Sequence, residues 1–202
     1  MDSVSCLEKI ESRLAAHGSE GAAVLIPLIP SEEGDLSVLL EVRSATLDIQ
    51  PSEVCLPGGH IERGETPLEA CIRECAEELL VSACDIHVLG DLGPTVGPGG
   101  MTLWAFVGTI DGYTGTFSPD EVERVFTIPL EWLLEHPAKL FEVQLTPSWP
   151  DDFPWELVPG GRGYPWRQQR NVIPFYPGTE PCVWGATARV LERFAQILRP
   201  RR

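Results

Sequence analysis

The chain has 202 residues, 43% of them apolar and 22% charged, enough to bury one sizeable core and too apolar for a mainly disordered polypeptide. Fifteen Lys and Arg stand against 30 Asp and Glu, a formal net charge of −15. A surface that acidic repels phosphate backbones and anionic lipid, which speaks against a nucleic-acid or membrane partner, but it leaves room for a phosphorylated small molecule that arrives with cations.

The first six residues lack the basic flank and apolar run of a secretory signal, and the longest apolar stretch, 22–29, is too short to span a bilayer, so a cytoplasmic location is expected. Leu7, Ile10 and Leu14 keep helical spacing and predict an amphipathic helix over 4–16, ended by Gly18. Apolar runs at 22–29 and 36–43, separated by a turn-like 31–35, read as two strands of one sheet. A short strand at 54–56 is expected to stop at Pro57-Gly58-Gly59. Thr66 with Glu69 three residues later forms a capping box, and Pro67 falls at the first helical position, so a helix begins there.

Further strands are expected at 86–90, 101–107 and 122–128, with a hairpin turn at 97–100 and a short helix over 129–135. The stretch 146–177 is dense in Pro, Gly and Trp and reads as an irregular excursion holding one or two strands. A last helix over 184–198 ends in basic Arg199, Arg201 and Arg202. No repeat or linker divides the chain, so residues 1–202 are read as one domain. The six cysteines read as reduced thiols, with Cys71 and Cys75 as small buried hydrophobes rather than zinc ligands. His87 and His136 read as structural or exposed.

The informative helix carries Glu74, Glu77 and Glu78 on adjacent turns of one face, with Leu68, Ile72, Cys75 and Leu79 as the expected core stripe opposite. A solvated acidic face is the ordinary explanation for such a pattern. Clustered carboxylates repel one another, however, and a divalent cation removes that penalty. Mg²⁺ takes hard oxygen ligands and leaves positions for phosphate oxygens. On composition alone the two explanations are evenly matched.

The order of residues separates them. Gly59, Glu65, Arg73, Glu74, Glu77, Glu78 and Val81 fall on the pattern of the Nudix box, with Cys75 at an apolar slot and Leu80 where that family has Gly. The segment 59–81 therefore resembles a Nudix box. The resemblance implies an α/β (α+β) Nudix fold, a mixed β-sheet sandwiched between α-helices. It also implies hydrolysis of a nucleoside diphosphate linked to another group. Under it, Glu74, Glu77, Glu78 and the backbone carbonyl of Gly59 or its neighbour Gly58 would hold Mg²⁺ or Mn²⁺, while Glu65 and Arg73 would hold loop and helix together and orient the carboxylates. A base to take a proton from the attacking water is wanted, and the candidates are Glu74 and Glu121, the latter with a plain surface residue at a strand start as its alternative.

Residues 38–44, Leu47, 54–59, Pro174-Phe175-Tyr176 and 183–191 are similar to the coenzyme A pyrophosphatase branch of that family. This implies cleavage of coenzyme A or an acyl derivative to 3′,5′-ADP and 4′-phosphopantetheine. Asp48, Gln50, Ser52, Glu53 and Leu56 depart from the branch pattern, and two of these changes remove cationic groups while two add carboxylates. Arg43 is the expected phosphate contact, with a strand-end salt bridge as its alternative. Trp149, Trp155, Tyr164 and Trp166 are expected either to stack on a base or, more in keeping with their size, to pin the excursion to the core. Other nucleoside diphosphate substrates (a dinucleotide, ADP-ribose or a nucleotide sugar), a non-catalytic nucleotide-binding module and a homodimer stay open on the sequence.

Overall fold

The computed structural model describes residues 21–30, 34–167 and 169–200. The helix expected over 4–16 and part of the turn at 31–35 lie outside them. Strands β1 (Ala22–Pro30) and β2 (Leu36–Arg43) are apolar on both faces and buried on both. Ile26, Leu28, Val38, Leu40 and Val42 enter one core cluster, while Ala23, Leu25 and Leu39 enter another. The two-residue period of a strand thus makes one sheet with a core on each side.

β1 and β2 pair antiparallel only from Leu28↔Val38 to Pro30↔Leu36 and then part company. The gap is filled by β3 (Val54–Cys55), paired to β2, and β4 (Gly58–His60), paired to β1. Leu25 N–H donates to the Pro57 carbonyl at 2.9 Å, which closes the wedge between them. The expected chain break at Pro57-Gly58-Gly59 is therefore only a step from one flank of the wedge to the other. Outside the wedge, β6 (Thr102–Ile110) runs parallel to β1, β5 (Ile86–Val96) lies beyond β6, and β7 (Val122–Pro129) covers the free edge of β2. β5 runs past the expected 86–90 because register shifts near Gly90 and Gly93 let it stay on β6.

Helix α1 (Pro67–Leu79) begins as its caps require. Thr66 accepts from the Glu69 N–H, and the Glu69 side chain accepts from the Thr66 N–H. Its inward stripe is Cys71, Cys75, Glu78 and Leu79, with Ala70, whereas Leu68 is exposed and Ile72 is half-buried. The expected stripe is rotated by a fraction of a turn, and the rotation turns a carboxylate inward. The described cysteines are free thiols, and burial pushes Cys71 up to about 12 and Cys75 higher still. On the other face lie α2 (Leu130–Glu135), α3 (Gly185–Leu198) and an antiparallel three-stranded sheet of β8 (Lys139–Leu145), β9 (Gln169–Tyr176) and β10 (Val183–Trp184). The mixed sheet between helices is thus present, and β8 is an addition that its largely exposed residues gave no reason to expect. Among the described residues no helix is long and apolar enough to cross a membrane.

The excursion aromatics neither pin it to the core nor leave it. Trp149, Phe153, Trp155, Tyr164 and Trp166 pack on one another at centroid separations from 4.7 to 6.4 Å, and no residue of 146–167 is buried. α3 is latched more firmly. Glu192 accepts from Ala138 N–H at 3.0 Å, Tyr176 OH at 2.8 Å and Arg199 Nη1 at 2.7 Å, while Arg199 also donates to the Leu133 and Leu134 carbonyls. Burial alone would raise the Glu192 carboxyl, but the Arg199, Ala138 and Tyr176 donors outweigh it and hold the group below the ordinary carboxylate range.

Two outcomes follow. Leu80 caps α1 in the left-handed region at φ 53° and ψ 45° while 58% exposed, so Leu80→Gly should raise stability by about 1 kcal/mol, read as a higher urea midpoint at unchanged slope. Because the folded carboxyl is depressed, the Glu192 latch stabilises above the unfolded pKa and is lost as pH falls through the folded one. Glu192→Gln should therefore cost about 1–2 kcal/mol at pH 7, and its deficit against the parent should close below about pH 4, measured by urea unfolding across that range.

Candidate active site

The wedge brings two glycines against the acidic helix. Gly58 sits at φ +145°, and a Cβ there would strike the Ala23 carbonyl and the Val24 backbone of β1, so only glycine lets β4 lie this close. Its N–H donates to Glu78 Oε2 at 2.7 Å. A Cβ on Gly59 would fall on the Glu74 carboxylate itself. The strand and the helix therefore meet through main chain and carboxylate with nothing between them.

Arg73 braces the same junction from outside. Its Nε and Nη2 grip Glu65 Oε1 and Oε2 at 2.7 and 3.0 Å, and Nη2 also donates to the His60 carbonyl at 3.1 Å. Nη1 lies 2.9 Å from Glu74 Oε1 and 3.4 Å from Glu77 Oε2. The Arg73 hydrogen bonds, with a further one from the Glu62 N–H, hold the Glu65 carboxyl down to about 2, and Glu65 in turn raises the Arg73 guanidinium. This bidentate fork ties the box loop to α1.

Behind the junction lies a buried pair of carboxyls. Glu78 is 2% exposed and Glu41, from the middle of β2, is 1% exposed. Burial raises both above the carboxylate range, and after burial the Glu41 charge does most to raise Glu78. Glu74 is raised too, by burial first and then by Glu77 and Glu121. The Cys55 thiol donates to Glu41 Oε1 at 3.2 Å, while Glu41 Oε2 is buried without a partner. Arg43 Nη1, 4.0 Å from Glu78 Oε1, supplies the nearest positive charge. Sequence reasoning missed Glu41, although a single Glu inside the apolar run 38–42 is a signal that a buried strand position serves something other than packing.

These groups open on a cleft of about 970 Å³. Gly59, Glu74, Glu78, Arg43 and Glu121 line it; Arg73, Glu65 and Glu77 do not. Glu121 stands exposed just before β7, where its carbonyl accepts from Ser44 N–H at 2.8 Å. The loop 44–53 forms one side, with Gln50 Nε2 on Glu53 Oε2 at 2.8 Å and with Gln50 and Ser52 both at positive φ. None of the excursion aromatics lines the cleft; Trp184 does. His87 pairs with Asp111 at 3.0 Å and His136 stacks on Trp132, both away from it.

For a metal, the donor chemistry suits a hard cation: carboxylates and a carbonyl, with Arg73 and Arg43 only partly offsetting the carboxylates. Among the described residues no three His, Cys, Asp or Glu side chains are gathered to hold one, and Glu74 and Glu77 both pair with Arg73. Glu74 and Glu78 nonetheless share the Gly58-Gly59 cradle, which a side chain on either glycine would disturb.

Comparison with known proteins agrees with the geometry. Residues 20–149 match the NUDIX domain model. The chain is 37% identical over 181 residues to the uncharacterized Nudix hydrolase NudL of Yersinia enterocolitica, covering 88% of this chain and 81% of that one. It is 32% identical over 141 residues to the peroxisomal coenzyme A diphosphatase NUDT7 of Mus musculus, covering 69% of this chain but only 59% of the mouse protein. A MutT/nudix family protein from Enterococcus faecalis superposes with a TM-score of 0.52 at 17% identity, over 98% of this chain and 70% of that one, which is a likeness of fold. With the domain match spanning most of the chain and the box helix, glycine cradle and Arg73 brace in place, this chain belongs to the Nudix family.

Proposed function

We propose that the chain is a divalent-metal-dependent pyrophosphohydrolase that cleaves the diphosphate linkage of a nucleoside diphosphate derivative, with coenzyme A or an acyl-coenzyme A as its substrate. The observation that carries this reading is the meeting of Glu74 and Glu78 at the Gly58-Gly59 cradle on the wall of a cleft large enough for such a ligand. Glu74, Glu77, Glu78 and the Gly59 carbonyl would hold Mg²⁺ or Mn²⁺. Held there, such a cation would supply charge neutralisation for the diphosphate and a lowered pKa for the attacking water. Water adds to one phosphorus, the bridging P–O bond breaks, and two phosphate products leave.

The protein's own part is placement. Arg73 fixes the loop to the helix through Glu65, so the carboxylates are held before substrate arrives. Arg43, 23% exposed on the cleft, donates to the diphosphate. Glu74 or Glu121 takes the proton of the attacking water; both line the cleft, and burial raises the Glu74 carboxyl toward the range a base needs. The mouse relative's printed name supports coenzyme A. Glu53 on the loop side of the cleft favours the second reading, a dinucleotide or ADP-ribose that lacks the extra 3′-phosphate.

Incubation in Mg²⁺ or Mn²⁺ with coenzyme A, ADP-ribose, NADH and diadenosine polyphosphates, read by mass, should release 3′,5′-ADP and 4′-phosphopantetheine from coenzyme A. Cleavage of only another member of the panel selects the second reading, and cleavage of none overturns both. Glu78→Gln should lower turnover by about 10²–10³-fold and abolish the metal-dependent rise in Tm without unfolding the domain. Gly59→Ala should displace the Glu74 carboxylate and lower kcat by about 10²-fold, with a native circular dichroism spectrum.

A further inference from the structure

The cleft is much larger than a diphosphate requires, and its far wall is built differently from the acidic one. β10 pairs with β9 so that Trp184 lies opposite Phe175, and the two rings stack at 5.8 Å and 15°. Phe141 of β8 braces Phe175 edge-on at 5.4 Å and 87°. Trp184 is nonetheless 42% exposed, and it lines the cleft that also contains Glu74 and Glu78. Its position is fixed from below, because Arg189 of the helix that follows it donates to the Val172 carbonyl of β9 at 2.8 Å.

A large ring stacked on a second ring that is itself braced edge-on by a third loses little entropy when another flat surface settles on it. A buried tryptophan would have satisfied the core, and a surface one needs no stack behind it. We propose that Trp184 is the stacking platform for the nucleobase of the ligand, so that the base lies on the β9–β10 wall while the diphosphate lies against Glu74 and Glu78. The inference rests on the nucleoside diphosphate reading of the site and adds to it the residue that recognises the base. Stacking tolerates any base, since each has a π-face, so Trp184 sets the preference for nucleotides over ring-free diphosphates rather than for one base over another.

The test uses two ligands that share a non-hydrolysable P–C–P unit and differ by the nucleoside: α,β-methylene-ADP and methylenediphosphonate, titrated calorimetrically in Mg²⁺. The parent chain should bind the nucleotide more tightly than the ring-free compound. Trp184→Leu should weaken the nucleotide about tenfold and leave methylenediphosphonate unchanged, whereas Trp184→Phe should keep the nucleotide within about threefold. Equal affinity of the parent for both ligands, no binding of the nucleotide, or an equal loss for both in Trp184→Leu overturns the inference. The two proposals fail separately: Trp184-dependent nucleotide binding without turnover of any substrate would remove the hydrolase and keep the platform, while turnover unaffected by Trp184→Leu at limiting substrate would do the reverse.

Discussion

Everything at the candidate site follows from the parting of β1 and β2. Two buried strands that pair over three residues and then diverge leave unpaired main chain in the middle of a sheet, which is costly unless another segment supplies the missing hydrogen bonds. Residues 54–60 supply them on both flanks, and Leu25 N–H closes on Pro57. The filling segment has to pass within contact of β1, and Gly58 is the residue that permits this. Once it is in place, its free N–H points at α1, and the helix presents Glu78 to meet it.

That geometry collects carboxyl groups where burial opposes their ionisation. Glu41 and Glu78 are buried, the Glu74 side chain is 17% exposed, and Glu121 adds its field from just before β7. Arg43 reaches only one of them, at 4.0 Å. Arg73 is spent on Glu65 and on the outer carboxylates. The acidic residues behind the formal charge of −15 are therefore not all on a uniform solvating skin: some carboxyls are folded inward, where burial disfavours their ionisation and a hard cation would favour it.

Local chemistry made the helix start legible: Thr66, Pro67 and Glu69 do in the fold what their spacing requires. The spacing of Gly59, Glu65, Arg73, Glu74, Glu77 and Glu78 likewise identified a box whose members do meet. What spacing could not settle was rotation and long-range register. The face of α1 that turns inward depends on contacts with β1 and β4, and it includes Glu78 in place of Leu68. Glu41 belongs to the site only because β2 passes behind the helix. Trp184 looked like the first residue of a helix and is instead the last of a strand, which sets its ring on the cleft. β8 was illegible for a related reason: most of its side chains are exposed, so no alternation between core and solvent marks it.

The excursion has a separate consequence. In its 146–167 part, unlike in β9 with the buried Tyr176, the aromatic residues find their partners within 149–166 and none is buried, so this part draws little of its order from the domain core. Such a segment opens as a unit of its own, with a free energy well below that of global unfolding. Amide exchange there would run ahead of the rest of the chain, and changes of length or sequence could accumulate without strain on the cradle at Gly58 and Gly59.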